Sequence, residues 1–144
     1  MKKTIGASTR SRTQTIERCW ILTGTSDGMA HWRFRRRCCS SGTAASVEAA
    51  WTWALSREER YGDVVGFFHT HPKGVGAQPS SRDIRTMKAW CSAFGKPLLC
   101  VIAAGKALNS FLFPYPGEKP VPVESILKGE GGWYMVNVDG AKRR

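Results

Sequence analysis

Two histidines, His69 and His71, stand two positions apart in the stretch Gly66-Phe67-Phe68-His69-Thr70-His71-Pro72. If that stretch is a strand, side chains at i and i+2 leave the same face, so both imidazoles can chelate one metal ion. A His-x-His pair alone is more often incidental than metal-binding. Asp83 changes the reading, because it stands at the start of a predicted helix just beyond the loop that leaves the strand. Two histidines and one aspartate form a three-ligand zinc set that keeps the fourth tetrahedral position for water. The pKa of such a water falls to ~7, making it a nucleophile at neutral pH. Ser80-x-x-Asp83 is also the spacing of a helix capping box. The two readings are compatible, since a capped helix fixes its ligand.

Hydrolysis by that water needs a further group to take its proton and return it to the leaving group. The third histidine, His31, is remote in sequence, so a carboxylate from a neighbouring strand is required. Glu17 is the notable candidate, because it opens an otherwise apolar strand where an unpaired charge is costly. A surface glutamate on an edge strand fits the same residues, and composition does not choose between them.

The elements that must position these groups follow from patterning. Ile16 to Gly24 reads as a strand, Thr25 to Gly28 as a turn and Met29 to Cys39 as the second arm of a hairpin. On that arm Trp32 and Phe34 alternate with Arg33 and Arg35, one face packed and one wet. A helix is predicted over Ala44 to Tyr61, with Val47, Ala50, Trp51, Ala54 and Leu55 as its buried stripe and Gly62 as cap. Val64 to His71 is apolar on both faces, as a central strand should be. A second helix runs from Ser81 to Phe94, burying Ile84, Met87, Trp90, Cys91 and Phe94, and ends at Gly95 and Pro97. Leu98 to Ala103 and Leu108 to Phe113 form a hairpin, Pro114 to Val123 is irregular, and Trp133 to Val138 is a final strand. The expected organisation is a flexible basic leader at 1–14, one α/β domain at 15–138 and a basic tail at 139–144.

The 144 residues suffice for one domain with a real core. No apolar run approaches the ~20 residues needed to span a bilayer, and no apolar segment follows the N-terminal lysines, so neither a membrane span nor a secretory signal is expected. Five cysteines without a C-x-x-C pair suit a reduced, cytoplasmic protein better than a disulfide framework. The net charge of +11, with Arg33, Arg35, Arg36 and Arg37 clustered, would attract a polyanion or an acidic protein partner. Nucleic acid is the weaker choice, since no recognition motif accompanies the charge.

His69-Thr70-His71-Pro72 followed by Ser80-x-x-Asp83 resembles the JAMM motif of JAB/MPN-domain metalloproteases. Glu17 to Gly24 resembles that family's upstream strand, with Gly24 at its second glycine and Trp20 where the first is usual. The likeness covers roughly residues 15–113. It implies a cytidine-deaminase-like α/β fold, a mixed β-sheet flanked by two main helices. It implies Zn2+ held by His69, His71 and Asp83, with Glu17 as general acid/base and Ser80 as a hydrogen-bond donor to the tetrahedral intermediate. The activity implied is an isopeptidase or peptidase. The lack of accessory domains is similar to the compact prokaryotic branch, whose members act on ubiquitin-like proteins or their conjugates, some in antiphage operons beside E1- and E2-like enzymes. The competing readings are a non-catalytic MPN-type scaffold, which usually lacks the metal ligands, and a basic nucleic-acid-binding domain. A zinc nucleoside deaminase is excluded, since its His-x-Glu and Pro-Cys-x-x-Cys are missing.

Overall fold

In a computed structural model, residues 18–27, 31–40, 44–72, 74–116, 119–123 and 126–137 are described. The leader, Glu17 and the basic tail lie outside them. Strand β3 (Val64–Thr70) is apolar on both sides because it lies inside the sheet, with β4 (Leu98–Ala104) parallel on one flank and β1 (Cys19–Ser26) antiparallel on the other. Beyond β1 come β2 (His31–Ser40), β8 (Trp133–Asn137) and the edge strand β7 (Ile126–Lys128). Beyond β4 come β5 (Ala107–Phe113) and the other edge, β6 (Val121–Val123). Among the described residues β3–β4 is the one parallel pairing of the mixed sheet. A parallel neighbour needs a crossover, and here that crossover is the loop and helix α2 (Ser81–Phe94).

Alternation along the strands fills two cores. Ile21, Phe67, Leu98, Cys100 and Ile102 face one side, where Ala50 and Ala54 of α1 (Ala44–Tyr61) and Met87, Trp90 and Cys91 of α2 cover them. Both helices therefore lie on the same face. On the other side Leu22, Val65, Phe68, Leu99 and Val101 meet Trp32, Phe34, Tyr134, Val136 and Val123 with no helix between. Residues from both ends of the strand order share this second core, so the sheet curls into a nearly barrel-like form. Two glycines make the curl possible at close approach. A Cβ on Gly66 would lie 2.1 Å from the Leu99 carbonyl oxygen, and one on Gly24 would lie 1.9 Å from that of Arg33.

Both helices have the predicted bounds, and Gly62 and Gly95 end them at positive φ. Trp32 and Phe34 are buried and Arg33 and Arg35 exposed, as their alternation requires. Three expectations are corrected. Trp51 and Leu55 are about half exposed, because the small Ala50 and Ala54 let α1 settle close to the sheet and Trp53 leans inward in their place. The stretch after Pro114 is not wholly irregular, since Val121–Val123 pairs with β5; Pro122 is tolerated there because β6 is an edge. Thr25 and Ser26 continue β1 rather than turning, and the short β7 was not foreseen. Cys91 and Cys100 are buried free thiols. Burial pushes Cys91 up to about 11 and Cys100 well above the usual thiol range, so both behave as small hydrophobes. No helix among the described residues is long and apolar enough to cross a membrane.

Candidate metal centre

β3 ends at Thr70, yet the chain stays in line with the sheet for one more residue, because the His71 amide donates to the Ala103 carbonyl (2.9 Å). That bond keeps His71 on the same face as His69. Pro72, with no N–H to offer, then releases the chain into the loop. The loop is folded on itself by the Val75 amide donating to the Pro72 carbonyl (3.0 Å) and is plugged into the helix-side core by the buried Ala77. It ends at Ser80, the N-cap of α2. Ser80 Oγ accepts from the Asp83 amide (3.0 Å) and the Ser80 amide donates to Asp83 Oδ2 (2.9 Å), so the capping box is present. The cap fixes the Asp83 backbone and aims its carboxylate at β3.

Three side-chain atoms meet as a result. His69 Nε2 and His71 Nε2 are 3.2 Å apart, and Asp83 Oδ2 lies 3.3 Å from the first and 3.1 Å from the second. His71 is 8 % exposed, and the three side chains are all largely shielded from water. His71 Nδ1 is 2.6 Å from the Gly76 carbonyl oxygen. A carbonyl only accepts, so Nδ1 carries a proton and the ring turns Nε2 inward. Nε2 faces a carboxylate oxygen and a second imidazole nitrogen. Burial pushes the Asp83 carboxyl up, but hydrogen bonds from His69, the Ser80 amide and His71 outweigh it and hold the group well below the usual carboxylate range. Asp83 is therefore an anion at neutral pH.

Atoms crowded at 3.1–3.3 Å share either ring protons or a cation held among them. Zinc fits this donor set. Its bonds to imidazole nitrogen and carboxylate oxygen are ~2.0–2.1 Å, and a tetrahedral angle then separates two ligands by about 3.3 Å. The set is one carboxylate and two imidazoles with a shielded approach, the composition of an open zinc site rather than a closed structural one. Among the described residues it is the one group of three metal-ligating side chains that converges.

A model of the prokaryotic homologs of the JAB domain matches residues 5–113 of the chain. The chain is a member of this JAB-domain family. No curated protein matches it. In this JAB domain the match takes in β1 to β5, both helices and all three converging side chains.

Two other site residues predicted from sequence fare differently. Ser80 is in place beside Asp83; its oxygen accepts the cap bond and its hydroxyl proton remains to be donated. Glu17 lies outside the described residues. What is described is the chain next to it: the Arg18 amide donates to Thr70 Oγ1, the Thr70 amide donates to the Arg18 carbonyl, both at 3.0 Å, and Cys19 pairs with His69. The start of β1 is thus tied to the residue between the two histidines. His31 opens β2 opposite Asn137, two strands away from β3, and takes no part.

Sequence reasoning missed the supports. Gly76 holds His71 through its carbonyl, and Asn109 Nδ2 donates to the next carbonyl along, that of Ala77 (3.2 Å). Asn109 pairs with Ile102, which pairs with His69, so support and ligand share one row across β5, β4 and β3. A signal existed: Asn109 is the one amide in a hairpin strand whose only other polar residue is Ser110.

Proposed function

We propose that this JAB domain is a zinc-dependent isopeptidase or peptidase that cleaves ubiquitin-like protein conjugates or precursors with a metal-activated water. The observation that carries the reading is the triangle of two imidazole nitrogens and one carboxylate oxygen, all within 3.3 Å of one another. Zinc held by His69, His71 and Asp83 would supply a Lewis acid and a water acidified to ~7.

The chain's own residues do the rest. The Gly76 carbonyl holds the proton of His71 at Nδ1 and so keeps its Nε2 basic. Asp83 brings one negative charge, so the centre would stay net positive with zinc bound. Glu17, carried over from the family's motif, takes a proton from water and returns it to the leaving amine. The Ser80 hydroxyl donates to the oxygen that becomes negative as the carbonyl carbon turns tetrahedral. The compact, basic domain suits a place beside E1- and E2-like enzymes in the cytoplasm, as in antiphage operons, where it would process or remove the modifier.

Metal analysis paired with cleavage of ubiquitin-like fusions tests this. Wild type should carry one zinc and cleave. His69→Ala should lose the zinc. Glu17→Ala should keep it and lose cleavage, and Ser80→Ala should keep it and cleave roughly a hundredfold more slowly. Equal cleavage by wild type and Glu17→Ala would remove Glu17 from its role. Full zinc without cleavage of any fusion would favour the scaffold reading.

A further inference from the structure

Among the described residues none of Arg33, Arg35, Arg36 and Arg37 forms an ion pair; the pairs found are Arg57–Asp63, Lys96–Glu58 and those of the metal centre. They are held by rings instead. The guanidinium groups of Arg33 and Arg35 lie 3.7 and 5.0 Å from the centre of the Trp133 indole, and that of Arg37 lies 5.8 Å from Trp53. Arg36 leaves the other face, over Trp20 and Phe68. A ring orients a guanidinium without occupying its N–H donors, which keeps the planar fork ready for a carboxylate.

Arg33, Arg35 and Arg37 alternate along β2, so their stems repeat at roughly 7 Å, the repeat of side chains on one face of an extended peptide. Beside them the sheet surface is apolar. Arg33 pairs with Met135 and Met135 with Leu127, one row across β2, β8 and β7. Met135 is 46 % exposed and Leu127 61 %, high for residues of their size. A groove of about 540 Å³ runs here, lined among others by Arg33, Leu127, Met135 and Thr25. Neither helix contributes to its lining. Asp27, the acidic residue in the lining, accepts from the His31 amide (3.1 Å) and belongs to the hairpin turn.

We propose that this β2–β8–β7 face docks an extended acidic segment of a partner protein, with an aliphatic side chain in the groove and alternate carboxylates on Arg33 and Arg35. A second copy of this chain is a poor occupant, because like faces of a protein carrying +11 repel. Single-stranded nucleic acid fits less well. Stacking needs a free aromatic face, and that of Trp133 is taken by guanidinium groups, while Leu127 and Met135 offer nothing to a phosphate. The surface does not depend on the metal centre.

The experiment is fluorescence anisotropy on the whole chain. The probes are a short labelled peptide alternating Glu with Leu, an equally acidic one with its Glu residues contiguous, and a labelled oligothymidine. Arg33→Gln with Arg35→Gln should weaken the alternating peptide about tenfold or more. Arg85→Gln with Lys88→Gln, two exposed residues of α2 with the same charge loss, should weaken it about twofold through long-range attraction alone. Leu127→Ser, a change at an exposed position that leaves every arginine in place, should weaken it severalfold. Zinc content should be the same in all. Equal losses in both charge pairs, equal binding of the contiguous peptide, or tighter binding of oligothymidine with the same arginine dependence would each overturn the proposal.

Discussion

Asn109→Leu tests whether the loop between the ligands is part of the metal centre or only a connection. The substitution keeps the side chain's size and branching but removes the donor to the Ala77 carbonyl, a 3.2 Å bond beside a buried residue. A buried carbonyl left without its partner costs roughly 1–3 kcal/mol. In a domain of this size each kcal/mol lowers the melting temperature by roughly 3–5 °C. That loss is expected whether or not metal is involved. The telling quantity is zinc affinity. The Gly76 carbonyl, one peptide unit before Ala77, holds the His71 ring at 2.6 Å. If loosening Ala77 loosens Gly76, His71 loses the support that fixes its tautomer. Outer supports of this kind are worth ~10–100-fold in metal affinity, or about 1.4–2.7 kcal/mol. That range matches the one bond removed, so most of its cost should appear in zinc binding. Competition against a chromophoric chelator measures the affinity, and the exchange rate of the His71 Nδ1 proton by NMR shows whether the ring has lost its anchor. A lower melting temperature with zinc affinity within about twofold of wild type, and a still-protected Nδ1 proton, would refute the coupling. Asn109 would then be a structural residue alone.

Gly66→Ala should be among the most damaging single-methyl changes in the chain, lowering stability by roughly 3 kcal/mol or more in a denaturant titration. Its Cβ would sit 2.1 Å from Leu99 O, and β3 and β4 must part by over an ångström to admit it. Ser110→Ala should do the opposite, raising the melting temperature by a few degrees, because Ser110 Oγ is buried among apolar neighbours with no hydrogen-bond partner. Asp63→Asn should cost about 1 kcal/mol at neutral pH, since the Arg57 guanidinium donates to both carboxylate oxygens (2.9 and 2.7 Å). The Arg57 hydrogen bond holds the Asp63 carboxyl below its ordinary 3.8, so this contribution is complete above that pH and fades as the pH falls through it towards the folded value. The stability difference between wild type and Asp63→Asn, measured by urea unfolding, should therefore shrink below pH ~4. A difference that grew there would reverse the assigned sign.

The convergence of His69, His71 and Asp83 was legible in sequence because each placement depends on local rules. Two positions along a strand set His69 against His71, and a cap three residues ahead sets Asp83. Helix bounds were legible for the same reason, as their glycine and serine punctuation is local. What sequence did not carry was contact between distant pieces. Periodicity put Trp51 and Leu55 on a buried stripe, but it cannot tell how close a helix lies to its sheet, and Ala50 and Ala54 decide that. Nor does a three-residue strand such as β7 hold enough pattern to be seen without its partner β8. Asn109 was visible as an oddity in a mostly apolar strand. Its meaning needed the loop brought over it by the β3–β4 crossover.

The crossover has a bearing on how the protein would come to hold a metal ion. All three ligands fall between residues 69 and 83, within one strand–loop–helix unit, while Glu17 stands about fifty residues upstream. Closing the short span costs roughly 1 kcal/mol less in chain entropy than closing the long one. A chain emerging from synthesis can therefore gather a metal ion around His69, His71 and Asp83 before β1 has found its place between β2 and β3. Acquisition of an ion and completion of the proposed centre would be separable events in this topology. There is a thermodynamic counterpart. An ion that also binds the incompletely folded chain stabilises the native state by less than its affinity would suggest. Removing the metal should then silence the centre while leaving most of the curled sheet standing.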